Sequence, residues 1–417
     1  MGFQQGLSGL SGASKALDVI SNNVANSSTV GFKGAETKFG DVYAAALNGA
    51  ASGVQVGIGV GVGQVAQLFT QGNITTTNNP LDIAINGNGF FVMRATDGTS
   101  TYTRNGQFEL DKSGYIVSPT GQRLQGYPTN SPSGPATDLV MDTSDIAPHI
   151  TSNVALGVNL DSRSTVPTVP FASTAASPLP DPLSYNSSTS ISAYDSLGNA
   201  HTYTMYFRTM GNGDWEVFSS TDGGVAQSIS PGGAGTATLH FDESGALDLT
   251  TTPQPLAVTA NIDASYGAQA PISFNLDFTG SSQYGSVFGV NKSQQDGYAS
   301  GRLTGITIDA SGQILGRYSN GQSKAAGRVV LANFSDPNGL ISLGNNMWGE
   351  SIASGQPMVG TPGSGSLGQL QSGAVEDSNV DLTKELVDMI VQQRNYQANS
   401  QSIKTQDQIL QTLVNLR

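Results

Sequence analysis

The sequence predicts a multidomain chain. A helical domain of coiled-coil character is formed by both chain ends together. Two mainly-β domains lie between, the second inserted in the first. Three observations lead there. Apolar residues recur at helical spacing at each end of the 417 residues. The middle breaks into short strand-like runs joined by a repeated Asp-x-Ser-Gly phrase. A Pro/Ser-rich stretch at 163–184 marks a boundary within that middle.

At the N-terminus the apolar positions are Phe3, Leu7, Leu10, Ala13, Leu17, Ile20 and Val24. Steps of three and four make one helix stripe. Gly2, Gly6, Gly9 and Gly12 each weaken an isolated helix by about 1 kcal/mol against Ala, and they let another backbone come close. Only Lys15 and Asp18 are charged among the first thirty residues. A lone surface helix would carry a charged face. The stretch LDVISNNVANSSTVGFKG (17–34) then ends the stripe in Asn22, Asn23 and Asn26, with Gly31 for a left-handed turn and Phe32 to anchor the departing chain.

Residues 34–70 read as an extended connector or edge strand, because Val54, Val56, Ile58, Val60 and Val62 alternate with small residues. Residues 71–145 form one β block, a second β block fills 146–300, and a third covers 301–375. FELDKSGYIV (108–117), LHFDESGALDL (239–249) and ITIDASGQIL (306–315) share one device: the Asp bonds its own following backbone and the Gly takes positive φ. If the two ends meet, the first and third blocks lie together and the second is an insertion. The aromatics of the insertion, Tyr203, Tyr206 and Trp215, are expected in a strand core.

The C-terminus carries the longer helix. No Pro or Gly occurs from Val380 to Arg417, Met389, Tyr396, Ile403 and Leu410 fall seven apart, and Leu382, Leu386 and Leu413 fill neighbouring positions. Ser378-x-x-Asp381 resembles a capping box at its entry. About 35 residues would span about 50 Å, which points to a coiled coil or bundle, although Gln393, Ser400 and Gln406 interrupt the seam. The periodicity fits two core helices of one globular domain as well as two termini that pair and then pack against other copies.

Composition narrows the function. Charged residues make up 12%, about half the usual share, and the net charge is −13. An acidic chain without a Lys/Arg cluster argues against nucleic acid and anionic membranes as partners. No run of about 18 apolar residues appears, and the N-terminus lacks the basic start and apolar core of an ordinary signal peptide. With no cysteine there is no disulfide or thiol chemistry. His149, His201 and His240 stand in separate segments with nothing nearby in sequence to orient them. No G-x-S-x-G or H-E-x-x-H occurs, and GSGSLG (363–368) does not open a helix after a strand. No catalytic residue, metal site or cofactor is expected, so the chain does not read as an enzyme.

LDVISNNVANSSTVGFKG, PLDIAINGNGFFVM (80–93), TYTRNGQFELDKSGYIVSPTGQRLQGY (101–127) and SNVDLTKELVDMIVQQRNYQANSQSIKTQDQIL (378–410) resemble the recurrent blocks of the bacterial flagellar rod and hook axial proteins. The inserted second β domain and the length resemble the hook branch of that family more than a distal rod subunit. The resemblance implies a structural subunit that self-assembles into a curved hollow tube and serves as a universal joint between rod and filament. It further implies export by the flagellar type III machinery without a cleaved signal peptide, to an extracellular place in the flagellum. Implied partners are copies of the chain itself, the distal rod, the hook cap, and the hook–filament junction and hook-length-control proteins. On this reading 1–33 and 376–417 form the inner helical layer, 34–70 the connector, 71–145 with 301–375 the first β domain, and 146–300 an outer β domain. The expected inner contacts are Leu7, Leu10, Leu17, Ile20, Val24, Leu386, Met389, Tyr396, Ile403 and Leu410. The helix-exit junction is Asn22, Asn23, Asn26, Gly31 and Phe32. A reading from another class is a secreted β-rich adhesin or binding module, oligomerised by its end helices and using the aromatics of the insertion.

Overall fold

The computed structural model describes residues 2–42, 57, 59–129, 131, 134–229, 237–262 and 267–415. The alternation at Val54, Val56 and Ile58 lies outside them, as does the side chain of Leu413. The chain forms two compact units. One comprises Met1–Thr143, Gly305–Arg317 and Ser323–Arg417; the other comprises Ser144–Thr304 and Tyr318–Gln322.

The first unit contains both end helices, α1 (Gly2–Ala25) and α2 (Leu382–Asn415). The stretch expected as an extended connector is a ribbon: β1 (Ala35–Val42) pairs antiparallel with β2 (Gly59–Gln67), from Ala35 opposite Gln67 to Val42 opposite Gly59. Its strands lie on α1, where a methyl on Gly12 would meet the Phe39 ring at 3.2 Å and Val60 at 3.6 Å. Alternation in a chain of small residues marks a strand but not its partner, so the ribbon's pairing was not readable.

The β body of this unit joins segments far apart in sequence. Strand Arg123–Pro128 pairs with Phe90–Arg94 and with Ser323–Val329, and Phe90–Arg94 pairs also with Leu331–Asn333. Its core is aromatic: Phe90, Tyr102, Phe334 and Trp348 are buried, with Phe69 packed against them. Phe69 meets Phe90 and Trp348 edge-on at 5.5 and 5.6 Å between centroids. Two short ladders lead out of the body. Gln369–Ser372 pairs with Ile83–Asn86, and Ala374–Glu376 pairs with Ile74–Thr76.

The second unit is a sandwich of two five-stranded sheets. In one, Asn153–Asp161 is flanked by Ile272–Asp277, Ser282–Tyr284 and Gly289–Gln295. In the other, Ala200–Gly211 pairs with Ser187–Tyr194 and Asp214–Thr221. Alternate residues of both meet in one core that includes Val154, Leu156, Val158, Tyr203, Met205, Phe207, Trp215, Val217, Phe274 and Phe278. Tyr206 is buried too. Tyr203 and Trp215 are strand core as expected, whereas Tyr206 points to the other side of its strand, where it meets Tyr185 edge-on at 5.0 Å between centroids and lines a surface cavity with it.

The three Asp-x-Ser-Gly phrases are turns. Asp111, Asp242 and Asp309 each accept backbone N–H bonds two and four residues ahead through Oδ1. Gly114, Gly245 and Gly312 follow at φ of 81°, 80° and 82°. These carboxylates serve their own backbone, and among the described residues no group of three or more such side chains is placed to hold a metal ion.

Candidate functional site

The helix pair and its exit junction concentrate what the rest of the fold does not use. α1 and α2 run antiparallel: Gly6 lies against Ile403, Gly9 against Asn399, and Asn23 bonds Glu385. The side of α1 that is covered is a row of small residues. Gly6, Ala13, Ala16, Ile20 and Asn23 are buried and Gly9 is half-buried, in steps of three and four. A methyl on Gly6 would come within 2.9 Å of Ile403, and one on Gly9 within 2.8 Å of the Asn399 amide. Larger side chains there would force the helices apart.

This differs from the expected stripe. Ile20 is the one large member of it that is fully buried. Leu10, Leu17 and Val24 are half-buried and Leu7 is exposed. The reason is steric: close helix approach selects for glycine and alanine, so the leucines are turned to the flank. On α2, Met389 and Ile403 are half-buried, whereas Leu386, Tyr396 and Leu410 are exposed. Leu382, Val387, Ile390, Val391 and Ile409 are exposed with them, as is Phe3 on α1. The α2 positions on the inward side include Glu385, Gln392, Asn399 and Gln406. Burial holds Glu385 above the usual carboxylate range, partly offset by the Asn23 hydrogen bond. The entry cap is Asp381, whose Oδ1 accepts from Thr383 and Lys384 N–H at 2.9 and 3.2 Å, instead of the Ser378 capping box. Ser378 caps only Val380 N–H.

The three junction asparagines divide their work. Asn23 is 1% exposed and replaces a strand neighbour for Ala35: Nδ2 donates to its carbonyl at 2.8 Å and Oδ1 accepts its N–H at 2.9 Å. Asn26 closes the helix end, donating through both N–H and Nδ2 to the Asn22 carbonyl at 3.1 and 2.9 Å. The Asn22 side chain is exposed. Gly31 has φ of 70° as expected, but six residues beyond the last residue of α1. Its N–H donates to the Glu376 carbonyl at 2.7 Å, and a Cβ there would strike the Asn105 backbone. Phe32 is only half-buried.

The anchor of the exiting chain is the next residue. Lys33 and Glu376 side chains are fully buried and meet at 2.5 Å, and the Arg104 guanidinium reaches the other Glu376 oxygen at 3.1 Å. Lys33 Nζ also donates to the Thr70 carbonyl at 2.7 Å, Gly72 N–H donates to Glu376 Oε1 at 2.9 Å, and Arg104 donates to the Gly87 carbonyl at 3.0 Å. Arg104 stands 5.4 Å over the Phe90 ring. Burial pushes both cations below their ordinary values, against the pull of Glu376. Beside them Asn379 accepts from Gly34 N–H at 2.8 Å and donates to the carbonyls of Leu68 and Thr70. None of Lys33, Arg104, Glu376 or Asn379 was legible as a partner.

The histidines need a correction: carboxylates do orient two of them. His201 lies between Asp222 at 2.7 Å and Asp195 at 3.3 Å, one on each ring nitrogen, and His240 bonds Asp214 at 2.5 Å. With both nitrogens engaged, His201 serves as a tie between two hairpin turns. His149 stacks on Tyr298.

Four family models match successive segments of the chain. Residues 3–33 match the model "Flagella basal body rod protein" and 371–416 match "Flagellar basal body rod FlgEFG protein C-terminal". Residues 84–164 match "Flagellar hook protein FlgE/F/G D1 domain" and 159–298 match "Flagellar basal body protein FlaE D2 domain". The chain is 42% identical to the flagellar hook protein FlgE of Escherichia coli (strain K12), with all of both chains covered. It is 31% identical to that of Borreliella burgdorferi, over 99% of this chain and 98% of the relative. The crystal structure of Helicobacter pylori flagellar hook protein FlgE2 superposes with a TM-score of 0.51 at 14% identity, covering 72% of this chain and 100% of that one, which speaks to the fold. The chain belongs to the flagellar hook protein family, structural components of the bacterial flagellum.

Proposed function

We propose that the chain polymerises into the curved hollow tube of the hook, with 1–33 and 376–417 as the inner layer and the β domains, 71–145 with 301–375 and 146–300, outside it. The observation that carries this reading is the apolar surface left open on the helix pair. Ten large apolar side chains, from Phe3 and Leu7 to Ile409 and Leu410, are exposed along α1 and α2. Covering the open half of each is worth about 1 kcal/mol, so the set supplies on the order of 10 kcal/mol, comparable to what ordering a subunit costs. Copies of the same chain are the occupants. Of the expected contacts, Leu7, Leu10, Leu17, Val24, Leu386, Met389, Tyr396 and Leu410 keep surface to offer a copy, while Ile20 is buried within the chain and Ile403 packs on Gly6. The tube transmits torque as a universal joint from distal rod to filament. Its growth beneath a hook cap, its delivery by the flagellar type III export machinery without cleavage of a leader, and its meeting with the junction and length-control proteins belong to the same reading.

The test is removal of residues 1–30 followed by electron microscopy. The full chain forms short curved tubes. The truncated chain stays a soluble β-rich monomer. Normal tubes from the truncated chain would refute the inner-layer assignment.

A further inference from the structure

The chain passes between the helical part and the β body of the first unit at two places, 68–72 and 376–379, and the segment that follows α1 runs beside both at 31–34. One buried carboxylate joins all of these. Glu376 takes Lys33 and Gly72 N–H on Oε1 and Arg104 on Oε2, and its carbonyl takes Gly31 N–H. Arg104 belongs to the β body. Both carboxylate oxygens are used, and two cations depend on them. The packing is as tight as the bonding: a methyl on Gly72 would collide with the Asp377 carbonyl oxygen, and one on Gly31 with the Asn105 backbone.

We propose that Glu376 is the positioning residue that welds the helix exit, the ribbon exit and the entry to α2 into one block on the β body, so that force applied to the helix pair reaches the β body through this node. Two facts separate it from an ordinary surface ion pair. Its partners come from segments more than 270 residues apart, with separations of 343 for Lys33 and 272 for Arg104. Its three charged side chains are 4% exposed or less, so breaking it strands buried charge and the three segments loosen together. The mechanical consequence for an assembled tube rests on the function proposed above.

Hydrogen exchange on the full-length monomer tests the weld without any tube. In Glu376→Gln the amides of Gly31, Gly34, Leu68 and Gly72 are expected to exchange at least roughly tenfold faster as a group, while α2 and the strand at 90–94 keep wild-type protection. Faster exchange confined to Gly72, which loses its direct acceptor, or no change at all, overturns the proposal. If that variant does not fold, Lys33→Met leaves the Glu376–Arg104 pair in place and is read in the same way. For tubes, the expected result is greater bending in micrographs of the variant. Wild-type stiffness despite loosened amides overturns the force-path claim. Failure of the unaltered chain to form tubes would instead refute the proposed function and leave the exchange result standing.

Discussion

The sandwich of the second unit and the helix pair of the first use apolar residues in opposite ways. The sandwich turns Trp215, Tyr203, Phe207 and Phe278 inward until each is no more than 1% exposed. The helix pair closes mainly on glycine, alanine and amides, with Ile20 and Ile403, and leaves Leu7, Leu382, Leu386, Val387, Ile390, Val391, Ile409 and Leu410 exposed. A region that buries its own surface is stable alone; a region that cannot is stable in company. On the function proposed above, the first part is self-sufficient and the second serves assembly.

The strongest way to break that contrast is to charge the open helix face. Leu386→Glu with Ile390→Glu changes two residues that are 44% and 51% exposed. Monomer stability should move by no more than about 0.5 kcal/mol, because both already face water. Assembly should be lost, since each contact would bury an unpaired carboxylate. Thermal melting and electron microscopy read the two halves; tubes of normal length from the doubly charged chain would show that this face is not the interface.

The converse change belongs in the sandwich. Trp215→Ala empties a fully enclosed site and should cost about 3–5 kcal/mol, seen as an early melting step of the second unit. The far-ultraviolet helix signal should survive that step. A single concerted melt that takes the helices along would contradict the independence of the two regions.

The smallest effect sharpens the contrast through pH. Burial works to lower the His201 pKa, but hydrogen bonds to Asp222 and Asp195 hold it above its ordinary 6.5. Asp214 raises His240 likewise. A raised histidine contributes stability that is complete below the unfolded value and fades as pH climbs through the folded one. Asp248, held down to about 2 by Thr250 and Thr251, acts oppositely, and its contribution fades as pH falls below its ordinary 3.8. The second unit should therefore be most stable between roughly pH 4 and 6.5 and soften above that. His201→Gln should flatten the alkaline decline in denaturant titrations of the chain; an unaltered slope would remove His201 from the account.

Much of this was legible beforehand, and for identifiable reasons. α2 needed only its Pro- and Gly-free run and seven-residue period. Each Asp-x-Ser-Gly turn needed only its own five residues, since Asp111, Asp242 and Asp309 bond neighbours two and four positions on. Interactions that close locally are written locally. The covered side of α1 was misjudged because periodicity marks large apolar residues, whereas close packing was won by Gly6, Gly9, Ala13 and Ala16. Lys33 and Glu376, 343 residues apart, carry no mutual signal in one sequence.

By itself the sequence determined two end helices, a turn-rich β middle, the absence of disulfide chemistry and a surplus of apolar side chains at the ends, because composition, period and short-range hydrogen bonding depend on neighbours along the chain. Only the tertiary structure decided which side of α1 is covered, that Ala35–Val42 and Gly59–Gln67 pair as a ribbon, and that one buried carboxylate gathers Lys33, Gly72 and Arg104. Those outcomes depend on distances across folded space, and a charge is worth burying only where its partners are already held.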